Sequence, residues 1–163
     1  MNETGSKSPF KKVLIALDYD SNALKIAETG YYVAKAMGAE VVLLHVLVDA
    51  TYYDAAEYLP MMGAGGFSGT SFKTIAEEEG LEKAAFTFLE NVRNHLYDQE
   101  ITLRVEKGDF ADIILNREEN HNADLIVVGS YKKDWFDRIL TGNVAEKVFH
   151  ETRVPLLIIP IRE

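Results

Sequence analysis

The stretch "KKVLIALDYDSNALKIAETGYYVAKAMGAEVVLLHVLV", residues 11–48, decides the fold. It opens and closes on apolar runs, "VLIAL" at 13–17 and "VVLLHVLV" at 41–48. Both runs are nearly continuous in Val, Ile and Leu rather than alternating. Strands covered on both faces read this way, which predicts a parallel sheet under helices. Between them Leu24, Ala27, Tyr31, Ala34 and Met37 fall close to helical spacing. Asp20 or Ser21 supplies a side-chain acceptor for an N-cap, and Gly38 suits the stop. Strand, helix, strand in this order forms a right-handed crossover unit.

The same grammar continues to the end of the chain. "LIVVG" at 125–129 and "PLLIIPI" at 155–161 are two more buried strands. "ITLRVEKG" at 101–108 alternates apolar and charged residues, which predicts an edge strand with one wet face. Residues 71–96 read as a long amphipathic helix weakened at Gly80. Residues 109–122 read as a helix capped by Asp109, with Ile113 and Ile114 toward the sheet. Residues 143–151 read as a helix capped by Asn143, with Val144 and Val148 on one face. The order β–α–β–α–β–α–β–α–β predicts an open, doubly wound α/β fold: five parallel strands with helices on both faces. Ligands in such folds lie beyond the carboxyl ends of strands, where the winding reverses. Those ends are Asp18, Val46–Asp49 and Gly129.

Composition sets the outer limits. The chain has 163 residues, one domain's length, with 47% hydrophobic and 26% charged residues. Residues 1–9 read as a disordered tail and 10–163 as the domain. The net charge of −9 disfavours nucleic acid and anionic membranes as partners. No cysteine is present, which excludes disulfides, thiol catalysis and cysteine metal sites. The polar start "MNETGSKSPFKK" has no secretory character, and no apolar run reaches membrane-spanning length. A cytoplasmic location is the expectation.

Residues 49–70, "DATYYDAAEYLPMMGAGGFSGT", are too long and too aromatic for a plain connection. They read either as a mobile surface insertion or as a variable loop whose tyrosines, methionines and Phe67 pack on the sheet end or on a protein partner. Their glycines match neither a dinucleotide fingerprint nor a Walker loop. Chemistry is sparse elsewhere. Asp18 stands alone at the rim, where a carboxylate holds a ribose hydroxyl or a metal. His45 lies inside an apolar strand, as a core or rim residue rather than a ligand. His95, His121 and His150 sit on helices or their ends, and no spacing predicts a metal site. No serine has a nucleophile-elbow context. Gly129 and Gly142 bracket a loop between a strand and a helix N-terminus, a layout able to hold phosphate on backbone N–H groups. Spacing alone favours plain turns at both, with Trp135 and Phe136 packed beneath.

Taken in order, "KKVLIALDYDSNALKIAETGYYVAKAMGAEVVLLHVL", "KGDFADII" and "ADLIVVGS…LTGNVAEKVFHETRVPLLIIP" resemble the universal stress protein family over about residues 10–162. The resemblance implies a five-stranded parallel sheet and a homodimer joined along the last strand, 154–161, with Val154 and Ile161 at its ends. It also implies a site for ATP or AMP with Mg. The ATP-binding branch carries G-x2-G-x9-G-[ST]. Gly129 and Gly142 match its first and third glycines, while Lys132 replaces the second and Asn143 the final Ser/Thr. Val128, Ser130, Lys133 and Val144 flank these positions. The family's first-strand positions fall on Ala16, Leu17 and Asp18, and the backbone position that meets adenine falls on Val46. A lysine at 132 crowds the loop, yet supplies a cation for phosphate. "YKKDWFDRIL" is closer to the branch around universal stress protein A, which lacks the ATP motif. Two functions follow from the resemblance: a non-enzymatic, dimeric stress regulator acting through protein partners, or an ATP/AMP-binding switch with at most slow hydrolysis. An electron-transfer flavoprotein-like adenine binder is a weaker third.

Overall fold

The computed structural model describes residues 8–47, 78–116, 122–130 and 144–160. Five parallel strands form one sheet: β1 (Lys12–Ala16), β2 (Glu40–Leu47), β3 (Thr102–Lys107), β4 (Leu125–Ser130) and β5 (Leu156–Pro160). Four helices join them: α1 (Ala23–Ala36), α2 (Glu78–His95), α3 (Phe110–Leu115) and α4 (Val144–Glu151). The strand order is β3-β2-β1-β4-β5. The alternating run at 101–108 is an edge strand, as its pattern requires. The loop at 49–70 and the tail up to Lys7 lie outside the described residues.

Side-chain alternation divides each inner strand between two cores. Val13, Ile15 and Leu17 join Val41, Leu43, Leu125 and Val127 in one apolar cluster with α1 and α2. Leu14 and Ala16 join Val42, Leu44, Val46, Ile126 and Val128 in the other, with α3 and α4. Helices thus cover both faces, which is why the strand sequences are apolar throughout. The chain winds outward from β1 through α1 to β2 and through α2 to β3. It then returns under α3 to β4, on the other side of β1, and goes on through α4 to β5. The reversal point therefore lies between β1 and β4.

Helix α1 differs in detail from its sequence pattern. Its cap residue is Asn22, whose side chain makes no capping bond, rather than Asp20 or Ser21. Asp20 instead accepts hydrogen bonds from the Asn22 backbone N–H at 2.7 Å and from its side-chain amide at 2.8 Å. The buried stripe is Ala23, Ile26, Ala27, Gly30 and Ala34, while Leu24 is 41% exposed. Small residues win because α1 packs very close to the sheet. The far end follows expectation. Gly38, at φ +67°, donates to Lys35 O, and Ala39 donates to Ala34 O, which satisfies the last carbonyls of the helix. In α3, the Asp109 carboxylate accepts from the Asp112 N–H at 3.0 Å, as a cap should. That helix ends at Leu115, short of the range read from the sequence. Ile114 is buried and Ile113 packs against the same cluster. No helix among the described residues is long and apolar enough to cross a membrane.

Candidate functional site

Strand lengths make a notch at the carboxyl edge of the sheet. Pairing of β1 with β2 runs only to Ala16↔Leu44, and pairing with β4 only to Ile15↔Val127. Both neighbours continue. β2 stays paired with β3 to Leu47↔Lys107, and β4 with β5 to Ser130↔Pro160. The central strand thus stops short, flanked by two strands that rise past it. Leu17 and Asp18 stand at the base of this notch, with Val46 and Leu47 on one side and Gly129 and Ser130 on the other.

Most residues assigned to a nucleotide from the sequence converge here. Ala16 and Leu17 are buried where β1 ends. Asp18 is half-buried and accepts from the Tyr19 N–H at 2.7 Å. Its other oxygen carries no hydrogen bond among the described residues. Val46 and Val128 are buried on the α3/α4 side of the sheet. Gly129 is half-buried. Val144 is the first residue of α4. Lys132, Lys133, Gly142 and Asn143 lie outside the described residues, as do Trp135 and Phe136.

Two features had no clear sequence signal. The first is the environment of His45, which is fully buried on the α1/α2 side. Its Nδ1 lies 2.9 Å from Leu17 O. Its ring packs on Tyr19 at 4.3 Å and on Phe88 at 5.8 Å between centroids. Burial pushes its pKa below the ordinary imidazole value, against smaller opposing effects of the Leu17 carbonyl and the Asp18 charge. Its place inside an apolar strand was legible, but its tie to β1 was not. The second is Lys147 of α4, which pairs with Asp112 and, at 3.7 Å, with Asp109. This ties the helix that follows the glycine loop to the start of α3. The other described histidines are peripheral. His95 meets Glu28 at 2.7 Å on the surface, and His150 is exposed beside Phe149. Among the described residues, no group of three or more His, Asp or Glu is placed to hold a metal ion.

Known proteins resemble this chain in sequence and in fold. Residues 9–160 match the model of the universal stress protein family. Universal stress protein MJ0531 of Methanocaldococcus jannaschii is 28% identical over 152 residues, 92% of this chain and 82% of that protein. Universal stress protein A of Yersinia pestis is 27% identical over 154 residues, 94% of each. Among solved structures, that of the protein MJ0577 aligns with a TM-score of 0.61 at 22% identity, covering 94% of this chain and 98% of that one. A universal stress protein in complex with cAMP aligns with a TM-score of 0.56 at 17% identity, covering 93% and 97%. At such identities the structures establish the fold, a doubly wound parallel α/β sheet. The family match spans nearly the whole chain, and the chain belongs to the universal stress protein family.

Proposed function

We propose that this protein is a non-enzymatic regulator of the stress response that takes an adenine nucleotide as its signal in the notch over β1. One observation carries the reading: β1 stops short between β2 and β4 at the winding reversal, with Asp18 at its end. A site at a reversal point suits a nucleotide, and a rim carboxylate suits a ribose hydroxyl. The fold is shared with a universal stress protein in complex with cAMP. On this reading the phosphates meet Gly129 and Gly142, which keep the family pattern, with Lys132 contributing charge where the pattern has glycine and Asn143 standing where it has Ser/Thr. Mg is then held chiefly by the nucleotide phosphates.

The protein is to be purified without nucleotide and denatured, and any released small molecule identified by mass spectrometry. ATP, AMP and cAMP are then titrated by calorimetry with and without Mg. Binding below about 1 mM, weakened about tenfold by Asp18→Ala, is the expected result, since one lost hydrogen bond to a charged group is worth about 1.4 kcal/mol or more. Absence of ADP after long incubation with ATP supports a non-enzymatic role. No heat with any nucleotide at millimolar concentration overturns the reading.

A second reading, a dimeric regulator acting through protein partners, draws on β5. Leu156, Leu157 and Ile158 are apolar and only half-buried on an edge strand. An edge of this kind suits pairing with a second copy. The two readings are compatible, since β5 lies beside β4 and its Ile159 pairs with Gly129 of the notch.

A further inference from the structure

We infer that His45 is a positioning residue that fixes Asp18 in the notch by holding the residues on either side of it. Pairing between β1 and β2 ends with Leu17 N donating to Leu44 O at 2.9 Å. Directly beyond, the His45 ring reaches back to Leu17 O at 2.9 Å. A carbonyl only accepts, so the ring proton is on Nδ1 and the neutral ring keeps its lone pair on Nε2. On the other side of Asp18, the Tyr19 ring lies on His45 at 4.3 Å and on Phe88 at 5.0 Å. The backbone before Asp18 and the side chain after it are therefore both seated on one imidazole. The Asp18 carboxylate closes the turn by accepting from Tyr19 N.

Core filling alone does not call for a histidine here. Nε2 is buried and has no hydrogen-bond partner among the described residues. An apolar ring of similar size would also fill the box between Tyr19 and Phe88. What it would lack is the Nδ1–H donor to Leu17, at the one place where β1 has no further pairing to hold it. The groups facing the ring are Leu17 O, Tyr19 and the Asp18 charge from the end of β1, and Phe88 from α2.

The effect on nucleotide affinity rests on the function proposed above, whereas the positioning itself does not. The test compares wild type with His45→Phe and His45→Asn, whose side-chain N–H falls near the place of Nδ1. Amide hydrogen exchange is measured at Asp18 and Tyr19 in the free protein, and AMP is titrated as the probe. His45→Phe is expected to raise exchange at these two amides about tenfold relative to Val41 and Leu43, and to weaken AMP about tenfold. His45→Asn is expected to recover much of both. Exchange in His45→Phe that changes no more at 18 and 19 than at 41 and 43 overturns the inference and leaves the ring as filler. If wild type binds no AMP, the nucleotide reading falls while exchange still decides the role of His45. Should His45→Phe fail to fold, His45→Gln, which moves the donor outward, replaces it with the same expected exchange pattern.

Discussion

Gly30 of α1 lies so close to Ile15 of β1 that a Cβ on it would stand 2.8 Å from Ile15 Cδ1 and 3.2 Å from Val127 Cγ1. Both neighbours are fully buried, so neither has empty space to move into. Gly30→Ala is expected to lose about 1 kcal/mol of stability. Overpacking costs about 1–3 kcal/mol, and the better helix propensity of alanine returns about 1. Urea denaturation measures this. Adding Ile15→Val removes Cδ1, the nearest of the atoms that Cβ would meet, so the double variant should lose less than the sum of the single losses.

At Gly38 the cost has another origin. Nothing lies within 4 Å of a Cβ built there, but φ is +67°. Gly38→Ala is expected to cost about 1 kcal/mol from backbone strain alone. Gly38→Asn should cost clearly less, because asparagine tolerates the left-handed region. Equal losses in thermal melts of the two variants would point to a side-chain clash instead.

How far the sequence carries is visible in these two glycines. Gly38 is readable as a helix stop, because its role depends on the local chain. Gly30 looks like a weak point in a helix, and only the packed sheet shows why no side chain fits. The same holds for the buried stripe of α1. Spacing picks out Ala27 and Ala34, which are buried, and Tyr31 and Met37, which pack on the same cluster, but also Leu24, which is exposed; contact with the sheet adds Ala23, Ile26 and Gly30. The strands are legible because burial on both faces leaves an apolar run. The notch is not, because it depends on where pairing stops on two different neighbours. Asp18, Val46 and Gly129 could be placed at strand ends, but nothing in their order says that β1 ends lower.

Asp124 anchors the opposite edge of the sheet. One of its carboxylate oxygens accepts from the Lys11 and Lys12 N–H groups at 2.8 and 3.0 Å, while its own N–H donates to Lys12 O. Asp124→Ala leaves two backbone donors without this acceptor. The expected loss is about 1–3 kcal/mol, read from chemical denaturation. Asp124→Asn keeps one acceptor oxygen and should lose less.

Stability should fall with pH in two windows. Burial lowers the pKa of His45 in the folded state below the ordinary value near 6.5. The unfolded chain therefore binds a proton first, so this contribution is complete above about pH 6.5 and is lost as pH falls toward the folded value. Asp98 behaves likewise lower down. Its pKa is held below 3.8, chiefly by the hydrogen bond from Lys35, with the Tyr31 hydroxyl at 3.0 Å adding to it. That contribution is present above pH 3.8 and is lost as pH falls through the folded value. Lys35 is 41% exposed, so the pair contributes no more than about 1 kcal/mol. Denaturation midpoints from pH 8 to pH 3 should show both declines, with His45→Phe removing the upper one and Asp98→Asn the lower.

The apolar edge at β5 gives the test of assembly. Leu157→Glu with Ile158→Glu places charge along the strand that pairing with a second copy would use. Sedimentation of wild type should show a dimer, and of the double variant a monomer with the same far-ultraviolet circular dichroism. A wild-type monomer at tens of micromolar removes the dimer from the proposed function.

β1 lies at the centre of the sheet, yet its partner on one side, β4, comes far later in the chain. The contact of Lys11 with Asp124 spans 113 residues. At a synthesis rate of about 5–20 residues per second, β1 waits roughly 5–20 s on the ribosome with one hydrogen-bonding edge open. Its five residues, KVLIA, are nearly all apolar. Until β4 arrives, the central strand of the finished protein is an open apolar edge on the nascent one, and a chain broken off before residue 125 would keep that edge open permanently.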